Sequence, residues 1–98
     1  MITESTAQVL LLRHFYPMSF RHERLKTFIG NWDNQFSVTP TALSQNGFYF
    51  HGTAERPDCV KCFYCDGLLY KWTSGDNVAQ EHARLKPYCP VFGAVELA

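Results

Sequence analysis

Hydrophobic positions along this chain come in short bursts divided by turn residues, and each burst suits a small element. A weak amphipathic signal runs from Val9 to Phe15 and breaks at Pro17. Ser19 is placed to cap a helix from about Arg21 to Ile29, with Leu25 and Phe28 on one face and Arg21, Arg24 and Lys26 mostly on the others. Thr39-Pro40 opens a second, short helix, hydroxyl as cap and proline at the first position, and Asn46-Gly47 closes it. Phe48 to His51, Val60 to Tyr64 and Leu68 to Trp72 read as three strands. Gly52 and Pro57 flank the first connection, and Asp66-Gly67 makes the tight second one. Ser74-Gly75-Asp76 opens a helix with Asp76 as cap and Asn77 to Arg84 as body; Pro87 ends it, and Pro90 can start a short terminal helix. The predicted class is α+β, a three-stranded antiparallel sheet surrounded by four to five short helices. Residues 1–18 form an N-terminal extension, 19–95 the domain and 96–98 a tail.

Composition narrows the class further. At 98 residues the chain sits near the size where a hydrophobic core alone is marginal and a covalent or metal staple helps. Hydrophobic residues at 46% and aromatics at 15% exclude a disordered tail. Nine basic residues balance nine acidic ones, which argues against nucleic acid or an anionic membrane as partner. Val9 to Leu12 is too short for a signal-peptide core and follows the acidic Glu4, and no run reaches membrane length.

The candidate chemistry is Cys62-x2-Cys65-x16-His82-x6-Cys89. Two thiolates three residues apart can bend around one ion, and a distant His and Cys can close a tetrahedron, as in structural zinc sites. Two disulfides are the alternative for four cysteines. Cys59, Cys62 and Cys65 crowd into seven residues, where a bridge would be strained, and His82 stands where a fourth ligand belongs. Zinc is therefore favoured, with a reducing, intracellular setting. A second thiol pair, Cys59-x2-Cys62, competes for the same ion. A metal loop must reverse after its second thiolate, and Asp66-Gly67 follows Cys65 whereas Phe63-Tyr64 follows Cys62. Cys59 is then a spare strand-end thiol. With four protein ligands the metal has no open position for a reactive water and should build the fold.

Arg24-x2-Thr27-Phe28, Trp32, Gly47-Phe48-Tyr49-Phe50, Asp58-x-Val60-x-Cys62-Phe63-x-Cys65, Trp72 and Glu81-His82-x-Arg84-x2-Pro87-x-Cys89 together resemble a baculoviral inhibitor-of-apoptosis repeat, the BIR domain, over about residues 21–93. The resemblance implies zinc on Cys62, Cys65, His82 and Cys89. It also implies capture of a partner's free N-terminus in a groove beside the third strand. Strand addition supplies the affinity and side-chain pockets the specificity. By resemblance that groove comprises Leu68, Leu69, Tyr70, Lys71, Asp76, Glu81 and Leu85. Asp76 and Glu81 stand where a carboxylate would meet the α-ammonium; read alone, Asp76 is a helix cap and Glu81 a solvated charge. Three residues depart from groove-bearing relatives: Leu68 replaces a frequent glycine, Lys71 an acidic or polar residue, and Leu85 a tryptophan wall. The Thr-Phe to Trp loop is also one residue longer, through Ile29-Gly30-Asn31, and Asp33 replaces a proline.

Two functions follow from the resemblance. One is suppression of cell death, in the cytoplasm, by binding pro-apoptotic antagonists or caspases. The other is a non-groove assembly module that binds an adaptor or a second copy of itself, aided by Val9 to Phe15. Histone-tail binding, a third family property, fits poorly with Leu85. No RING is present in these 98 residues. Enzymatic readings fail on spacing: His22-Glu23 and His51-x3-Glu55 miss the deaminase pattern, no His-Glu-x2-His occurs, and Cys59 beside Asp58 has no evident histidine base. DNA-reading fingers use two histidines and a shorter central gap. Trp32, Trp72, Phe28, Phe48, Phe50 and Phe63 read as core, and His14, His22 and His51 as surface or structural groups. Arg24 belongs either to a solvated helix face or, through its guanidinium, to backbone carbonyls near a helix end.

Overall fold

The computed structural model describes residues 17–91. Among these a 3-10 turn, Pro17–Ser19, leads into α1 (Arg21–Lys26), α2 (Pro40–Gln45), β1 (Phe48–Phe50), β2 (Val60–Cys62), β3 (Leu68–Leu69) and α3 (Val78–Leu85). The strands form one antiparallel sheet in the order β1-β2-β3. Phe48 pairs with Cys62 and Phe50 with Val60, while Lys61 pairs with Leu68 and Val60 with Leu69. The α+β class is therefore as predicted, with three α-helices among the described residues. The expected helical segment from Val9 to Phe15 and any helix beyond Val91 lie outside them.

Local chemistry explains each boundary. Pro17 sets up the 3-10 turn, closed by the Phe20 amide on the Pro17 carbonyl at 3.2 Å, and this turn absorbs Ser19. Phe20 occupies the N-cap position of α1 without a side-chain cap, so Ser19 does not cap the helix as expected. α1 ends at Lys26, three residues short of expectation, because the Thr27 hydroxyl donates to the Arg24 carbonyl at 2.6 Å and accepts from the Phe50 amide at 2.8 Å. That one hydroxyl ties the helix to β1. The α2 reading holds: the Thr39 hydroxyl accepts from the Ala42 amide, Pro40 follows, and Asn46 is the C-cap.

All three strands are shorter than predicted, β1 by one residue at His51. β2 stops at Cys62, where the metal-type turn begins. β3 stops at Leu69 because Lys71 takes φ +62° and Trp72 is drawn off the sheet. The Trp72 amide donates to Asp58 Oδ2 and its indole to the Asp58 carbonyl, both at 3.1 Å. In the β2–β3 turn the positive φ falls on Asp66 (+60°), not on Gly67. Gly67 is needed for space: a Cβ there would lie 2.9 Å from Leu85 Cδ2 and 3.3 Å from Cys65 Sγ. At α3 the cap is Asn77, whose Oδ1 accepts from the Gln80 amide at 2.9 Å. Asp76 is instead spent on the preceding turn, accepting from the Thr73 amide at 2.8 Å.

The core runs between α1, α2 and the sheet, with Phe28, Leu43, Phe48 and Val60 buried and Trp32, Phe50, Phe63 and Trp72 packed around them. Trp32 meets Phe28 edge-on at 5.3 Å and Phe36 at 4.8 Å, and its indole donates to the Val38 carbonyl. Arg24, not Leu25, turns inward. It is fully buried, donating from Nε and Nη2 to the Ser44 carbonyl (3.0 and 2.7 Å) and from Nη1 to Met18 (3.0 Å). Its guanidinium also lies 4.8 Å over the Phe63 ring. The solvated-face reading of Arg24 is thus wrong and the carbonyl-binding one right: Arg24 on α1 and Phe28 just after it both turn toward the core.

Candidate functional site

Three segments bring one donor set together. β2 ends on Cys62, the following turn presents Cys65, α3 presents His82, and the chain returns with Cys89. The ligand atoms of these four residues all lie within 4.8 Å of one another. Cys62 Sγ is 3.9 Å from Cys89 Sγ, and Cys65 Sγ is 3.5 Å from His82 Nε2. A tetrahedron with metal–sulfur bonds of about 2.3 Å and metal–nitrogen of about 2.0 Å has edges of roughly 3.5–3.8 Å. The group therefore fits a zinc site of the three-cysteine, one-histidine kind. All four cysteines are free thiols.

The surroundings favour a cation at the centre. Burial pushes the Cys62 thiol far above its usual range, opposed by the backbone amides of Cys65 and Tyr64; the Tyr64 amide reaches its sulfur at 3.4 Å. Burial raises Cys89 as well. Thiolates form here when a positive ion offsets that desolvation. His82 is fully enclosed, its ring 4.5 Å from that of Phe48. Burial lowers its pKa, with the Asn46 backbone the smaller opposing influence, so the ring is held neutral as a ligand must be. Its Nδ1 faces away from the sulfurs and finds no partner of full hydrogen-bond geometry. Gly47 closes the site from above, at φ +90°, because a Cβ would meet Val91 Cγ1 at 2.6 Å and Cys62 Sγ at 3.4 Å.

Cys59 stands outside the donor group. It is buried just before β2, its thiol pushed up by burial, with Arg56 acting in the lowering direction and Asp58 in the raising one. His22 and His51 are exposed, His22 lying 3.3 Å from Glu23; His14 lies outside the described residues.

A separate cleft of about 340 Å³ opens between β3 and α3, lined by Leu69, Tyr70, Lys71, Trp72, Thr73, Asp76, Glu81 and Arg84. Five of the seven groove residues read from the sequence are on this lining. Leu68 faces another cleft, with His51, Arg56 and Cys59, and Leu85 packs on Gly67. Trp72, Thr73 and Arg84 join the lining without having been assigned to it. Arg84 was legible in principle, one turn beyond Glu81 on the same helix face, and the two side chains form an ion pair.

Comparison with known proteins agrees with this geometry. The family model described as the BIR Inhibitor of Apoptosis domain matches residues 24–93. An inhibitor of apoptosis protein of Gallus gallus is 47% identical over 72 residues, covering 74% of this chain and 11% of its own length. The Death-associated inhibitor of apoptosis 2 of Drosophila melanogaster is 45% identical over 67 residues, covering 68% and 12%. The human Baculoviral IAP repeat-containing protein 3 is 46% identical over 66 residues, covering 67% and 10%. This chain thus spans about a tenth of the length of such relatives. Among solved structures, DIAP1 BIR1 bound to a Grim peptide superposes with a TM-score of 0.65 at 32% identity, over 76% of this chain and 71% of that one.

Proposed function

Since this chain belongs to the BIR family of inhibitor-of-apoptosis domains, we propose that it is a non-enzymatic, zinc-stabilised module that restrains cell death by capturing the free N-terminus of a protein partner. Cys62, Cys65, His82 and Cys89 hold the zinc with every position filled by protein, so the ion fixes α3 against the β2–β3 turn and activates no water. The partner, a pro-apoptotic antagonist or a caspase, adds a strand along the outer edge of β3. The setting is the reducing cytoplasm, where the three ligand thiols stay available to metal.

One observation carries this reading: the cleft beside the sheet's outer strand has two carboxylates, Asp76 and Glu81, across from that strand. An extended peptide laid on β3 would bring its ammonium to them. The similar DIAP1 BIR1 domain, solved bound to a Grim peptide, supports peptide capture. The second reading, assembly through another surface with an adaptor or a second copy, rests on the apolar side chains of Leu25 and Ile29, 38% and 75% exposed on and just after α1.

Titration with a short peptide beginning with alanine separates the two. The groove reading expects micromolar or tighter binding that disappears on N-acetylation and in Asp76→Ala. No binding at millimolar peptide would sink it and leave the assembly role.

A further inference from the structure

The charges lining the cleft come as two carboxylates and two cations. Asp76 and Glu81 face Lys71 and Arg84, so the walls are bipolar rather than simply acidic. In the free protein Arg84 donates to Glu81 across one helical turn, with 77% of the arginine side chain in solvent. Lys71 has no ion-pair partner among the described residues. Its backbone, at φ +62°, is in a conformation that a residue with a Cβ holds only where its surroundings impose it. That bend ends β3 and leaves the lysine on the cleft wall. Leu85, which would have made an apolar wall here, is turned onto Gly67. The helix side of the cleft is thus formed by Glu81 and the Arg84 guanidinium.

We propose that this cleft selects peptides with an acidic side chain at the third position after the free amine, recognised by Arg84 and Lys71. The inference rests on the groove reading above. When the peptide ammonium takes Glu81, the internal Glu81–Arg84 pair opens and the guanidinium needs a new anion. Glu81 and Arg84 are separated by about 4.5 Å along the helix axis. An extended peptide advances about 3.4 Å per residue with side chains alternating in direction. Residue three therefore returns to the side from which residue one approaches α3, and arginine's long stem covers the remaining distance. One internal ion pair is exchanged for two intermolecular ones, so the preference for acid should fade as salt rises.

The test compares the free-amine peptides Ala-Thr-Glu-Phe and Ala-Thr-Gln-Phe by fluorescence anisotropy on the zinc-loaded chain, at low and high salt. The glutamate peptide should bind about fivefold tighter at low salt, the upper range of an exposed ion pair. In the double variant Lys71→Gln, Arg84→Gln the ratio of the two affinities should fall to about one, whatever the change in absolute affinity. Equal affinity of the two peptides for the wild-type chain overturns the acidic preference and leaves the groove intact. Persistence of the preference in the double variant overturns the roles given to Lys71 and Arg84. Absence of binding by either peptide removes the groove reading itself, and this inference with it.

Discussion

Gly47 and Gly75 have nearly the same backbone, φ +90° and φ +91°, but opposite surroundings. A Cβ on Gly75 would find no heavy atom within 4 Å, whereas one on Gly47 would sit 2.6 Å from Val91 Cγ1 and 3.4 Å from Cys62 Sγ. Replacing either by alanine incurs the same conformational penalty, about 1–2 kcal/mol, partly offset by a stiffer unfolded chain. Only Gly47→Ala adds overpacking, roughly 1–3 kcal/mol more, because the neighbour it strikes is a buried branched side chain. The expected losses are therefore about 3 kcal/mol for Gly47→Ala and about 1 kcal/mol for Gly75→Ala. Urea unfolding followed by tryptophan fluorescence, at one fixed free-zinc concentration, measures both. A difference of about 2 kcal/mol separates the two midpoints by roughly 1 M or more. Equal losses, or a larger loss for Gly75→Ala, would refute the argument that space rather than dihedral angle decides the residue at position 47.

Further outcomes are open to measurement. Cys59→Ser should keep one zinc per chain, whereas Cys62→Ser should lose both metal and cooperative unfolding, since metal binding and folding are coupled; mass spectrometry of the native chain reads the stoichiometry. Burial depresses the His82 pKa, so the unfolded chain takes up its proton first: the stability from a neutral His82 is whole above about pH 6.5 and drains away as pH falls below it. Zinc release monitored from pH 7.5 to 4.5 should rise over the same window, and a flat profile would contradict the assignment. Arg24→Lys should cost about 2 kcal/mol and Arg24→Ala about 3–5 kcal/mol, because the ammonium cannot reproduce the forked bonds to Ser44 and Met18 and alanine leaves both carbonyls unmatched. Equal denaturation midpoints for Arg24→Lys and wild type would show that charge alone matters there.

What could be read from the sequence was chemistry with short reach. Thr39-Pro40 and Asn46-Gly47 depend on neighbours along the chain and reappear in the fold, and the four ligands, although spread over 27 residues, were legible because their residue types are chemically distinctive. Most of the misreadings have the opposite character. Arg24 was left between a solvated and a carbonyl-binding reading because nothing local announces that the Ser44 carbonyl, 20 residues on, will need its guanidinium. Asp76 and Asn77 are equivalent as caps until the Thr73 amide claims the first of them. Trp72 carries every signal of a strand residue, and Asp58 pulls it away from the sheet through two hydrogen bonds. Gly67 was rightly singled out but for the wrong cause, since Asp66 makes the turn and Gly67 makes room for Leu85. The cleft was partly legible because Asp76 and Glu81 lie on or beside one helix. Of its cationic half, Lys71 was read as a groove residue, whereas Arg84 was not assigned although it lies one turn beyond Glu81.

The loop after Phe28 offers a practical use. The amides of Asn31 and Trp32 both converge on the Phe28 carbonyl at 3.0 Å, Gly30 turns at φ +77° into open space, and Trp32 keeps its place in the core. At Gly30 the loop leaves room on its outer side. The Ile29–Gly30 link is accordingly the position at which a fluorophore, a peptide tag or a crosslinking handle should be grafted: such a label would report on partners while the aromatic core beneath it carries none of the load.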